Sequence, residues 1–119
     1  MYEVFYYETE RGRVPFKEHL DELRPRLAAR VLRSVALLEA EGPALREPAT
    51  KPLGDGVFEL RTEFDGEAER AFFFFVTGKR IVITHGIVKK TRRTPRREIA
   101  RAQRMRADWM ERHGEERDQ

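Results

Sequence analysis

Apolar residues in the second half of the chain fall into three short blocks, VFELRTEF from Val57, RAFFFFVT from Arg70 and RIVITHGIV from Arg80. They are rich in Val, Ile and Phe and separated by Asp65-Gly66 and Gly78-Lys79, a pattern that predicts three consecutive antiparallel strands. In the first block Phe58, Leu60, Thr62 and Phe64 alternate with Val57, Glu59, Arg61 and Glu63. One face therefore meets a core, and Glu59 and Arg61 are expected on the open face. The run Phe72–Phe75 and the block from Arg80 to Val88 are apolar on both faces, which predicts strands covered on both sides. His85 alternates in phase with Ile81, Ile83 and Ile87, so one reading makes it a buried, hydrogen-bonded strand histidine.

Tyr2–Tyr7 is aromatic and β-branched and predicts a first strand. Pro15 opens a short helix through Leu23, with Phe16, Leu20 and Leu23 at helical spacing. Pro25 restarts the pattern, and Leu27, Val31, Val35 and Leu38 form an apolar stripe that ends before Gly42-Pro43. Arg26, Arg30 and Arg33 share another side of this second helix, as a solvated flank or a ridge that meets RNA or a partner. Residues 44–52 read as loop, with Pro48 and Pro52, and residues 53–56 as a turn into the sheet. Thr94-Pro95 predicts a helix start with Thr94 as the N-cap. In that helix Ile99, Ala102, Met105, Trp109 and Met110 face a core, with Arg97, Arg101 and Arg104 opposite. The order β-α-α-β-β-β-α predicts an α+β fold, an antiparallel sheet of about four strands with both N-terminal helices on one face and a C-terminal helix. One domain is expected over residues 1–113, with a short acidic tail over 114–119.

The chain has 119 residues, enough for one modest core. Charged residues make up 38%, so the surface must be heavily ionic, while the 39% that are hydrophobic lie in periodic blocks and argue against disorder. No apolar run has the length of a membrane span, the first residues lack the order of a signal peptide, and there is no cysteine. A cytoplasmic protein with no membrane partner is the expectation.

Net charge is only +3, but Lys79 to Arg106 holds eleven Lys or Arg against one acid, Glu98. Such asymmetry points to a partner that carries phosphates or to an acidic protein. His19, His85 and His113 show no metal-ligand spacing, so no metal and no cofactor are expected. The lone serine, Ser34, sits in a helix without the glycines of a nucleophile elbow.

Several segments together carry a resemblance: Gly12-x-x-Pro15-x-x-x-x-Leu20, LGDGVFELR, Arg70 before an aromatic strand, and HGIVKKTRRTPRREIARA. The chain from Tyr2 to about Arg106 resembles the phage-derived branch of the HigB/RelE-like toxins of type II toxin–antitoxin systems. The resemblance implies a RelE-like fold, a translation-inhibiting mRNA endoribonuclease acting on the ribosome, and an antitoxin partner with a helix-turn-helix domain. Carried onto matching positions, Arg61 and Arg70 look like a phosphate clamp, and Lys89 and Lys90 like the proton-transferring and charge-stabilising pair. His85 is the one histidine inside a motif and joins the catalytic candidates. Arg92, Arg93, Arg96, Arg97 and Arg101 are expected to bind phosphates.

Metal-independent RNA cleavage needs a base for the 2′-OH, cations for the developing charge and an acid for the leaving 5′-oxygen. Arginine supplies charge and a planar fork, whereas lysine or histidine can move a proton. Each candidate has a plainer alternative. Arg61 can pair with Glu59 or Glu63, Arg70 can be a hairpin charge beside Glu69, and the lysines can contact RNA or antitoxin without chemistry. RelE-like enzymes commonly stack a target base on a late tyrosine, and here no tyrosine follows Tyr7. Phe72, Phe74 or an arginine plane would have to take that part. A non-catalytic RNA- or ribosome-binding module on the same fold is the alternative function. A third is a basic surface that mainly docks an acidic antitoxin segment.

Overall fold

The computed structural model describes the backbone of residues 1–117. The chain runs β1 (Glu3–Tyr6), α1 (Pro15–Glu22), α2 (Pro25–Glu41), a 3-10 turn (Gly42–Ala44), β2 (Thr50–Gly54), β3 (Val57–Phe64), β4 (Glu67–Val76), β5 (Arg80–Lys89) and α3 (Arg96–Arg117). The sheet has five strands in the order β1-β5-β4-β3-β2, and β1 lies parallel to β5. Both points correct the expectation of about four strands, all antiparallel.

The additional strand, β2, lies in a stretch read as loop and turn. Pro52 stands within it, opposite Phe58. Proline lacks the N–H that an interior strand must donate, but an edge strand can do without it. Asp55 and Gly56 then take φ of 51° and 79°, closing a two-residue hairpin of the type that favours Asp-Gly. Asp65-Gly66 makes the same turn between β3 and β4, with φ of 53° and 81°.

The sheet is covered on both faces. On one, α1 and α2 bury Phe16, Leu27, Val31, Val35 and Leu38 against Leu60, Phe73, Ile81 and Ile83. On the other, Ala102 and Trp109 of α3 pack over Val57, Phe72, Phe74 and Val82. Burial on both faces accounts for the unbroken aromatic run in β4.

One bulge sets the phase of β5. Phe72 pairs with His85 but Phe73 pairs with Ile83, leaving Thr84 as the extra residue. Ile81 and Ile83 therefore face the α1/α2 core, while His85 and Ile87 turn toward α3. The simple alternation read across residues 81–87 is interrupted there.

Pro95, rather than Thr94, accepts the first backbone bonds of α3, from Glu98 at 3.0 Å and Ile99 at 3.3 Å. The helix continues through Gly114 to Arg117, and the last two residues of the expected tail lie outside the described residues. Among the described residues, no helix is long and apolar enough to cross a membrane.

Candidate nucleic-acid interface

The antiparallel register brings the β3, β4 and β5 candidates together. Arg61 stands opposite Arg70, and Lys89 opposite Ala68, all on the face that α3 approaches. Glu59 lies two residues before Arg61 and so on the same side. It is buried, at 1% exposure, beneath the start of α3 and not on an open face. An ionised carboxylate at that depth requires partners. Glu59 Oε2 accepts from Arg61 Nε at 3.0 Å, and Oε1 accepts from the Thr94 hydroxyl at 2.5 Å. Arg70 Nε lies 3.6 Å from Oε2, within ion-pair range but too far for a hydrogen bond.

Arg70 is itself buried, and its Nη1 donates to Glu63 Oε1 and to the Glu69 carbonyl, each at 2.8 Å. It is therefore a fixed cation beneath the site, occupied by carboxylates.

Above this buried set opens a cleft of about 360 Å³ lined by Lys51, Arg61, Lys89, Arg92, Arg93 and Arg96, with Glu59, Thr94, Leu53 and Ile99 at its base and sides. Lys89 Nζ donates to the Arg92 carbonyl at 2.6 Å and so holds the loop that carries the arginines. The Lys89 pKa is pushed below the usual lysine range, first by desolvation and then by the Arg70 and Arg61 charges, against the pull of Glu59 and Glu63. The arrangement can gather an anionic chain, neutralise charge with Arg61 and move a proton at Lys89.

Of the sequence candidates, Arg61, Lys89, Arg92, Arg93 and Arg96 meet in the cleft. Lys90 is exposed one residue past β5 and lies outside the cleft lining. Arg97 and Arg101 lie outside the cleft lining, each 3.8 Å from a Glu98 oxygen. Phe72 and Phe74 are fully buried and cannot stack a base. Lys51, Glu59 and Thr94 were not among the candidates. The E-L-R triplet held the signal for Glu59, and the Asp55-Gly56 hairpin held it for Lys51.

His85 is also outside the cleft lining. Its ring is buried, stacked on Phe72 with centroids 4.6 Å apart. Nε2 lies 3.1 Å from Glu98 Oε1, and Nδ1 lies 3.0 Å from the Thr84 hydroxyl. Burial, and after it the Arg101 charge, pull its pKa down to about 4 despite Glu98. The imidazole is thus neutral at pH 7, with Nε2–H donating to the carboxylate.

A second histidine–carboxylate pair occupies the opposite face, with His19 Nε2 2.8 Å from Glu69 Oε2, both buried. Desolvation raises the Glu69 pKa, partly offset by His19. No such pair was evident in sequence, because the members lie 50 and 13 residues apart. Among the described residues, no group of three or more His, Asp or Glu side chains could hold a metal ion.

No curated protein matches the chain. The family model described as phage derived protein Gp49-like (DUF891) matches residues 18–107. That span runs from α1 well into α3 and takes in every residue lining the cleft. The chain belongs to the Gp49-like family of phage-derived proteins, a RelE/HigB-like toxin family.

Proposed function

We propose that this protein is the toxin of a type II toxin–antitoxin pair and cleaves mRNA on the ribosome without a metal ion. The observation that carries this reading is a cleft with six Lys or Arg side chains above one buried carboxylate, Glu59. Single-stranded RNA is the polyanion whose own 2′-OH can serve as nucleophile. That oxygen attacks the adjacent phosphorus, the P–O5′ bond breaks, and a 2′,3′-cyclic phosphate and a free 5′-OH result. Glu59 is the one carboxylate lining the cleft among the described residues and takes the 2′-OH proton. Lys89 gives a proton to the leaving 5′-oxygen, and Arg61 offsets charge on the phosphoryl oxygens. Arg70 holds Glu59 and lowers the Lys89 pKa. Arg92, Arg93 and Arg96 hold flanking phosphates.

A helix-turn-helix antitoxin is the partner that this reading implies, and the cytoplasm is where both would act. A second reading, a non-catalytic RNA- or ribosome-binding module, draws on the absence of any histidine from the cleft lining and on the engagement of both Glu59 oxygens.

Induced expression with primer-extension mapping of mRNA ends separates the two. In-frame cuts in translated messages that vanish in Lys89→Ala and Arg61→Ala support the nuclease. Growth arrest without new ends, from folded protein, supports the binding module.

A further inference from the structure

A second groove borders the cleft, lined by Arg30, Arg33, Ser34 and Leu37 of α2 and by Arg61, Thr62 and Glu63 of β3. Arg61 lines both grooves. The sheet edge explains how. β2 pairs with β3 only as far as Leu60, and the Arg61 N–H then donates to the Ala49 carbonyl at 2.8 Å. Among the described residues, no strand covers that edge of β3 from Thr62 to Phe64. Successive residues there point to opposite faces, Arg61 toward the cleft and Thr62 toward α2, where its hydroxyl lies 2.7 Å from that of Ser34. Arg61 lines the grooves on both sides of this open edge, with its Nε held by Glu59.

We propose that single-stranded RNA leaving the cleft crosses the β3 edge at Arg61 and runs along α2 over Arg33 and Arg30. The inference rests on the RNA reading of the cleft and extends it to the path of the flanking nucleotides. Arg30 and Arg33 lie three residues apart, about 4.5 Å along the axis and neighbours on one side of the helix, so their long side chains can reach neighbouring phosphates of a flexible strand. Arg30 also lies over the Phe64 ring, 4.7 Å from its centroid, so its guanidinium plane is pre-positioned at low entropic cost. Glu63 is the one acid lining this groove, and Arg70 already holds one of its oxygens.

The test uses the purified full chain and two fluorescent 2′-O-methyl oligonucleotides, a trinucleotide and a dodecanucleotide, neither of which can be cleaved. The Arg30→Gln/Arg33→Gln variant is expected to bind the dodecanucleotide roughly tenfold or more weakly at low salt, with a salt slope smaller by about 1.4, since each phosphate contact on a single strand contributes about 0.7. Its affinity for the trinucleotide stays at the wild-type value. Circular dichroism melting and Arg33→Gln alone, at an exposed position, guard against misfolding. Equal dodecanucleotide binding by variant and wild type overturns the path but leaves the cleft reading intact, and assigns the ridge to a protein partner or to solvent. Failure of the wild type to bind either probe overturns both.

Discussion

The Thr94 hydroxyl donates to the buried Glu59 carboxylate at 2.5 Å, tying the approach to α3 to the middle of β3. A threonine placed to cap a helix serves instead to satisfy a carboxylate at the floor of a cleft. A hydrogen bond to a charged group contributes roughly 1.5–3 kcal/mol. Thr94→Val is therefore expected to lower stability by about 2 kcal/mol in urea unfolding. Glu59→Gln should cost more, about 3–5 kcal/mol, because Arg61 would lose its carboxylate and the buried Arg70 would keep, among the described residues, only Glu63 as a charged partner within ion-pair range. Equal losses in the two variants would mean that Glu59 does not balance Arg70.

Lys89 and Lys90 are neighbours in sequence and differ in setting. Lys89 lines the cleft with its pKa pushed down, while Lys90 stands exposed outside the lining. Lys89→Ala is expected to slow RNA cleavage by about 100-fold or more, as loss of a positioned acid does. Lys90→Ala should leave the rate within a few-fold of wild type. Lys89→Arg keeps the charge but gives up no proton at neutral pH, so it should bind RNA normally and cleave poorly. In the wild type, activity should fall on the alkaline side at a pH below that of an ordinary lysine. An Arg variant that cleaves at the wild-type rate would reduce Lys89 to a binding residue.

The three central strands, both N-terminal helices and the core stripe of α2 were legible because each carries a clean period, two or near 3.6, between turn residues. β2 was not, because only five residues form it and Pro52 sits among them. Pairing with β3 overrides that local preference at an edge. The fate of His85 was hidden for another reason. A bulge at Thr84 changes which face it occupies, and no composition rule marks that residue. The cationic character of the site and the pairing of Arg61 with Glu59, two residues away, were readable in sequence, whereas the approach of Glu59 and Glu63 to Arg70 became apparent only once the register was set.

His85 provides a pH signature. Its folded pKa, about 4, lies below the ordinary value of 6.5, so the unfolded chain binds the proton more readily. The stabilisation from keeping it neutral is complete above pH 6.5, declines as pH falls and is gone below about 4. A shift of that size corresponds to about 3 kcal/mol. Glu69 runs the other way. Its raised pKa gives stability that is present at low pH and declines as pH rises past the carboxylate range. The difference in unfolding free energy between wild type and His85→Gln, followed from pH 4 to 8, removes the Glu69 contribution. It should rise with pH over that window; a flat difference would show that His85 titrates normally.

Gly86 follows His85 in the H-G pair, and the His19 ring supplies a reason for glycine there. A Cβ on Gly86 would lie 2.3 Å from His19 Cδ2 and 2.5 Å from its Nε2. The same Nε2 makes the 2.8 Å contact to Glu69, a fully buried carboxylate whose other oxygen has no hydrogen-bond partner among the described residues. In Gly86→Ala the ring must move, and moving it strips Glu69 of its histidine. Overpacking costs roughly 1–3 kcal/mol, and an orphaned buried acceptor a similar amount. The variant should therefore lose about 3 kcal/mol in denaturant unfolding at pH 7. Restoring space with His19→Ala in the Gly86→Ala background should recover the overpacking part but not the part due to Glu69. If Gly86→Ala is instead as stable as wild type, the ring has room to move and the His19–Glu69 contact contributes little to the fold.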